Sequence, residues 1–297
     1  MPKILIIYLI AFIFSANAKA QQNAMLFSKI DSIAKLAKGK VCVSALNIET
    51  KDSIDYYGDE HCAMQSVFKF PIALAILDKI DKGEYSLQHK IYVKKEDYNG
   101  YLWSPMRDSF PNGNMNFTFE TLIKYMVSQS DNSACDILLH HLGKPQKVEK
   151  FLHKIGIKDV AIKYNEANMQ KKWKNQYKNW STTNAMNQLL LKLYTGKIFS
   201  KTNTDFIYNV LTETSTGINR IVKLLPQGTI VAHKTGSSDT NKEGITAATN
   251  DVGIITLPNG QHLILSIFIS DAKADYDTIE NTIAEIAKTI FDDYNKN

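Results

Sequence analysis

The chain has 297 residues, 44% of them hydrophobic, and a net charge of +5, enough for one large core or two intimate subdomains. So small a positive charge over such a length excludes the basic signature of a nucleic-acid-binding protein. The three cysteines, Cys42, Cys62 and Cys135, have no zinc-ligand spacing, and their odd number leaves at least one thiol unpaired within the chain.

The first residues carry a targeting pattern. Lys3 is the basic start, Ile4 to Phe14 the apolar centre, and Ala18-Lys19-Ala20 a small-x-small cleavage site. The apolar run is too short to span a bilayer. Residues 1–20 are therefore expected to be an export signal cut before Gln21. No cysteine follows the cut to take a lipid anchor, and without Lys3 and Lys19 the charge becomes +3.

An amphipathic helix is expected from Leu26 to Leu36, ending near Gly39. Strands follow at Val41–Ile48 and Ile54–Tyr57, joined by a polar turn as a hairpin. Then comes Gln65-Ser66-Val67-Phe68-Lys69-Phe70-Pro71, leading into an apolar run to Leu77. It predicts a buried helix with a serine at its mouth, stopping near Gly83. Pro71 belongs in a first helical turn.

Residues 84–117 show little periodicity and hold Tyr98, Tyr101, Trp103 and Pro105. Thr118 is expected to cap a helix carrying Leu122, Ile123, Met126 and Val127, broken at Ser128–Asn132. Asp131 or Asn132 caps the next, to Leu142, with Gly143 after it. Cys135 lies on its apolar face, and His140-His141 has no metal-ligand pattern. Pro145 opens a further helix, with Gly156 at its end.

Residues 157–180 are again irregular, and a connection of that length is usually functional or disordered. Its Lys171-Lys172-Trp173-Lys174 cluster is expected to be solvated. Ser181 is expected to cap a helix through Leu193, and another runs from about Thr202 to Leu211. Strands are expected at Thr229–Lys234, Asp251–Leu257 and His262–Ser270, the last two joined by Pro258-Asn259-Gly260. A final helix carries Ile279, Ile283, Ile286, Ile290 and Phe291 on one face. With strands at both chain ends and helices between, the expected fold is α/β: an antiparallel sheet flanked by helices, plus an all-helical part.

Ser-x-x-Lys occurs at Ser32/Lys35, Ser66/Lys69 and Ser270/Lys273. The first lies on an amphipathic helix and the third ends an apolar strand. Only Ser66 heads a buried helix, where a three-residue spacing puts Ser66 and Lys69 on one face. A serine hydroxyl attacks only when a neighbouring base takes its proton, and a lysine can be that base if burial or a second cation lowers its pKa. Free N–H groups at the helix mouth favour a developing oxyanion. Ser130-Asp131-Asn132, in a break between helices, can aim a hydroxyl and an amide into a cleft. Lys234-Thr235-Gly236 ends a strand, its glycine permitting close backbone approach. Glu166 lies in the long irregular stretch.

Taken in that order, the motifs resemble the class A serine β-lactamases, over essentially the whole chain after the signal. Met64–Lys69, Ser130–Asn132, Gly217–Pro226, Ala232–Gly236 and Ala247–Asp251 look most like the PER-type, extended-spectrum branch. The resemblance implies a β-lactamase/transpeptidase-like fold with a sheet-and-helix domain of residues 21–62 and 213–297, a helical domain of residues 63–212, and the site between them. It implies that Ser66 is acylated by the lactam, with either Lys69 or Glu166, through a water, as the activating base. It further implies that Ser130 relays a proton to the departing nitrogen and that Glu166 activates the deacylating water, which Gln170 helps to hold. The oxyanion would be met by the Ser66 and Ser237 N–H groups. Asn132 would hold the substrate's side-chain amide, and Lys234, Thr235, Ser237 and Arg220 its carboxylate. Trp103 would wall the cleft; the alternatives are a core tryptophan and, for Arg220, a surface arginine.

Two departures bear on the loop. Where many class A enzymes pair an arginine and an aspartate, this chain has Tyr164 and Asn179, and the usual asparagine after the glutamate is Gln170. The polar stretch from Ser238 to Gly244 suggests a wide cleft for bulky cephalosporins. No metal or cofactor, no nucleic acid and no membrane insertion is implied, and the expected form is a periplasmic monomer. Competing readings are a penicillin-binding D-alanyl-D-alanine peptidase and a β-lactam sensor domain. Whether Cys42 and Cys62 pair is open.

Overall fold

The computed structural model describes residues 21–98, 100 and 103–296. The expected export signal over residues 1–20 lies outside the described residues, as does Tyr101. Helix α1 (residues 21–34) ends in a 3-10 turn, Lys35–Ala37, closed by Lys38 in the left-handed region. Strands β1 (Lys40–Asn47) and β2 (Ser53–Tyr56) form the expected hairpin, and β3 (Cys62–Ala63) leads into a 3-10 turn, Gln65–Phe68.

Helix α2 (Lys69–Asp81) has Pro71 in its first turn as expected, and Ser66 stands at its mouth in the 3-10 turn ahead of it. Pro71 cannot donate the α-helical bond to the Val67 carbonyl, so the turn holding Ser66 is tighter than an α-turn. The stretch expected to be irregular contains β4 (Lys90–Val93), α3 (Pro105–Ser109) and β5 (Met115–Thr118), with β4 and β5 paired. Thr118 caps α4 (Phe119–Ser128), Asp131 caps α5 (Asn132–Leu142) and Pro145 opens α6 (Pro145–Lys154), all as expected.

Residues 157–180 are also more ordered than expected: β6 (Val160–Ala161), α7 (Glu166–Gln170), a 3-10 segment Trp173–Lys178 and β7 (Trp180–Ser181). These elements are too short to impose a period on the sequence. Thr182, not Ser181, caps α8 (Thr183–Tyr194), because Ser181 is in register with Cys62 and Val160 in a small three-stranded sheet. Ser200 caps α9 (Lys201–Thr212). Strands β8 (Val231–Ser237), β9 (Thr246–Thr256) and β10 (His262–Ala272) precede α10 (Tyr276–Tyr294). Strand β9 begins five residues before the expected Asp251. Its first half mixes small apolar Ala247 and Ala248 with polar Thr246, Thr249 and Asn250, all buried between β8 and β10, so no apolar run marks it in the sequence.

Among the described residues the main sheet runs β2-β1-β10-β9-β8, antiparallel throughout, built from both ends of the chain. Its central strands alternate between two cores. Val41, Val43 and Ala45 of β1, with Leu263, Leu265, Ile267 and Ile269 of β10, pack under α1 and α10. Cys42, Ile264 and Phe268 face the helical body instead. That body surrounds α2, whose residues Lys69 to Leu77 are all buried. A two-sided cover explains why the sheet strands read as near-continuous apolar runs. Among the described residues no helix is long and apolar enough to cross a membrane.

Candidate active site

The 3-10 turn carrying Ser66 rests against β8. Asn250 of β9 donates to the Ala63 and Met64 carbonyls (2.8 and 3.0 Å). A Cβ on Gly236 would come 2.4 Å from the Met64 carbonyl oxygen. Gly236 is thus required by the chain's own backbone, rather than by a ligand's approach as expected from the sequence. Ser66 itself is half-buried, with buried neighbours on both sides, so its hydroxyl is the reachable member of the segment.

Lys69 has no exposed surface. Its ammonium donates to Ser66 Oγ (2.9 Å), the Ser130 carbonyl (2.7 Å) and Asn132 Oδ1 (2.5 Å), and it lies 2.9 Å from Glu166 Oε1. The Ser66 hydroxyl lies 3.5 Å from the same Glu166 oxygen. An ammonium has three protons, so these acceptors compete for it, and a proton can pass to Glu166 without either group moving far. Two charges can be buried here because they neutralise each other and are hydrogen-bonded.

Ser130 is held with φ +57° in the break between α4 and α5. Lys234 Nζ donates to Ser130 Oγ (2.9 Å) and to the Thr235 carbonyl (2.8 Å). Since Ser130 Oγ accepts from a cation, its own proton is free to aim at the cleft. Burial, reinforced by the charge of Lys69, pushes the Lys234 pKa well below the ordinary lysine value. Asp131 fastens the same break from behind: it accepts from Ser104 Oγ (3.0 Å), the Met106 N–H (2.7 Å) and the Ala134 N–H (2.8 Å). Its burial pushes its pKa up against those bonds.

Glu166 is the first residue of α7 and is buried. Asp136 of α5 positions it, accepting from the Glu166 N–H (2.8 Å), the Ala167 N–H (3.1 Å) and Asn165 Nδ2 (2.9 Å). A carboxylate at a helix start also matches the dipole there. Asn179, fully buried, closes the base of the loop. It accepts from the Lys163 and Tyr164 N–H groups (2.8 and 3.0 Å) and donates to the Tyr164 carbonyl (2.8 Å). A neutral amide thus spans the place where an ion pair was absent from the sequence.

Arg220 is not a surface arginine: it is 3% exposed. It pairs with Glu280 (2.9 Å), donates to the Gly236 and Asn250 carbonyls, and presents its last nitrogen to Ser237 Oγ (2.6 Å) and Tyr276 Oη (2.8 Å). Thr235 Oγ1 bonds Thr216 Oγ1 (2.6 Å). Ser237 is exposed at the end of β8. Beyond it, the Ser238 N–H bonds the Ala248 carbonyl and Thr240 bridges to Thr246, so residues 238–245 extend the β8–β9 hairpin past the site.

Trp103 is 61% exposed, which rules out the core alternative; its ring N–H donates to the Gln129 carbonyl, and its own carbonyl accepts from the Asn132 N–H. Gln170 is exposed at the end of α7, outside the buried cluster. Ser66, Lys69, Ser130, Asn132, Glu166 and Lys234 therefore converge, with Thr235, Ser237 and Arg220 along one edge. The other Ser-x-x-Lys pairs do not: Ser32 on α1 and Lys35 in the turn after it are exposed, and Ser270 is buried within β10. Asp136, Tyr276 and Glu280 carry no motif in the sequence, and Asn250, although it lies within Ala247–Asp251, has no role legible there. Only a buried polar residue inside an apolar period, as at Glu280 on α10, could have marked one of them.

The model of the β-lactamase enzyme family matches residues 25–294. The chain is 43% identical over 296 residues to β-lactamase VEB-1 of Pseudomonas aeruginosa, covering 99% of this chain and 98% of that protein. It is 34% identical over 278 residues to the extended-spectrum β-lactamase PER-1 of the same organism, covering 94% and 90%. The crystal structure of TLA-1 extended-spectrum β-lactamase superposes with a TM-score of 0.90 at 46% identity, over 92% of this chain and 99% of that one. The chain belongs to the β-lactamase enzyme family, and its fold is that of the class A enzymes.

Proposed function

We propose that the chain hydrolyses the β-lactam ring of penicillins and cephalosporins through an acyl-enzyme on Ser66. The observation that carries this is the meeting of Ser66 Oγ, Lys69 Nζ and Glu166 Oε1 within 3.5 Å of one another. Ser66 attacks the lactam carbonyl as its proton leaves toward Lys69 or Glu166, and the Ser66 and Ser237 N–H groups receive the oxyanion. Ser130, holding its proton toward the cleft, hands it to the departing nitrogen. Lys234 and Thr235 bind the substrate carboxylate together with Ser237, which Arg220 orients. Asn132 takes the side-chain amide, and Trp103 borders the entrance. Glu166 then activates a water against the ester. Gln170, on the surface, would hold that water only after turning inward.

The extended 238–245 hairpin, and relatives described as extended-spectrum, support bulky cephalosporins as substrates. The site lies where residues 21–62 and 213–297 meet residues 63–212, the two domains proposed here. The targeting pattern in residues 1–20 supports export to the periplasm, where a monomer would confer resistance to these drugs. Steady-state hydrolysis of nitrocefin tests the activity. Many turnovers per protein are expected, and none by Ser66→Ala. Release stopping near one equivalent would point instead to a peptidase or a sensor.

A further inference from the structure

Cys42 lies on the face of β1 turned toward the helical body, and Cys62 lies in β3, four residues before Ser66. Their sulfurs are 3.2 Å apart, and the side chains are 0% and 1% exposed. Neither strand is hydrogen-bonded to the other: β1 pairs with β2 and β10, and β3 with β7. The two cysteines are therefore a side-chain contact between separate sheets, positioned so that an S–S bond of about 2.05 Å needs only a small approach of the sulfurs. Cys135, buried on α5, has no such neighbour among the described residues and supplies an internal reference.

We propose that Cys42 and Cys62 are joined by a disulfide during folding outside the cytoplasm, a bridge that fastens the strand leading to Ser66 onto the main sheet. This rests on the export reading above. Two thiols become one S–S bond with loss of two protons and two electrons. The acceptor is the disulfide of a thiol–disulfide oxidoreductase, which leaves as a dithiol. One thiolate attacks that disulfide, and the second cysteine displaces the resulting mixed disulfide. The exchange must precede burial, because no external reagent reaches a sulfur that is 1% exposed or less. Once closed, the bridge is sealed from reductant.

Bridging residues 20 apart in sequence removes unfolded-state freedom. For a chain of this size the gain amounts to a Tm higher by about 6 °C. The test uses the full chain expressed in a Gram-negative host. Its export is first established by fractionation, and the purified protein is then unfolded without reductant in the presence of a maleimide. One label, on Cys135, and a Cys42–Cys62 cross-linked peptide are expected; three labels on periplasmic protein would overturn the proposal. Protein found in the cytoplasm would refute the export reading alone. The bridge is then decided by refolding the reduced chain with oxidised glutathione: one remaining thiol and the Tm rise support it, and three thiols overturn it. The Cys42→Ala/Cys62→Ala double variant should keep its Tm unchanged between reducing and oxidising conditions.

Discussion

Replacing Glu166 with glutamine separates the two halves of the proposed cycle. The amide keeps the volume of the side chain and one acceptor for Lys69, and the backbone clasp of Asp136 on residues 166 and 167 is untouched. Acylation retains a route, because Lys69 Nζ stays 2.9 Å from Ser66 Oγ. Deacylation loses its general base, a loss of about 10²–10⁴ in rate, or about 3–5 kcal/mol of barrier. The substitution also strips a fully buried ammonium of its counter-ion, which costs about 3–5 kcal/mol of stability if Lys69 stays charged. A Tm measurement is therefore the control for folding. Intact-mass spectrometry after mixing with a cephalosporin should show the acyl-enzyme persisting from seconds to hours, with one equivalent released in a burst. Steady-state turnover within about tenfold of the unsubstituted protein would refute the role assigned to Glu166.

Three further outcomes follow from the same contacts. In the proposed cycle Lys234 binds the substrate carboxylate as a cation; its pKa is depressed, so on that reading KM for carboxylate-bearing substrates should rise with pH on a limb that begins below the ordinary lysine value of 10.5. The sign for stability is opposite: in that window the unfolded chain holds the proton more tightly, so unfolding free energy increases as pH rises. A KM unchanged up to the ordinary value would contradict this. Arg220→Leu and Glu280→Leu should each cost about 3–5 kcal/mol by leaving a buried charge unpaired, and the double variant far less than their sum; additive losses in denaturant titrations would dissolve the proposed pair. Asn179→Ala removes four side-chain hydrogen bonds at the base of the Glu166 loop, one of them to the Met169 sulfur, and should cost about 2–3 kcal/mol, with deacylation slowed more than acylation. Equal slowing of both steps would mean that the loop does not depend on that amide.

What the sequence made legible follows from periodicity. The α10 stripe from Ile279 to Phe291, and the caps at Thr118 and Asp131, are local signals with local causes, and each is found where expected. Pro71 marks the first turn of α2 correctly, but the 3-10 form of the turn carrying Ser66 leaves no periodic trace in so short a segment. The half of β9 around Thr246–Asn250 was missed because polar residues sit in a position fixed only by neighbours far away in the chain. The same holds within the site. Ser66, Lys69, Ser130 and Lys234 belong to short motifs, and the structure brings them together. Asp136 and Asn250 act through carbonyl and amide groups of other segments, a relation that no spacing in the sequence encodes.

The contact between Gly236 and the Met64 carbonyl has an evolutionary consequence. The floor beneath Ser66 is main chain laid on main chain, with no room for even one carbon more. Selection by new drugs cannot reshape this bed by exchanging side chains there. Room for change lies instead at exposed positions such as Trp103 and the protruding hairpin of residues 238–245.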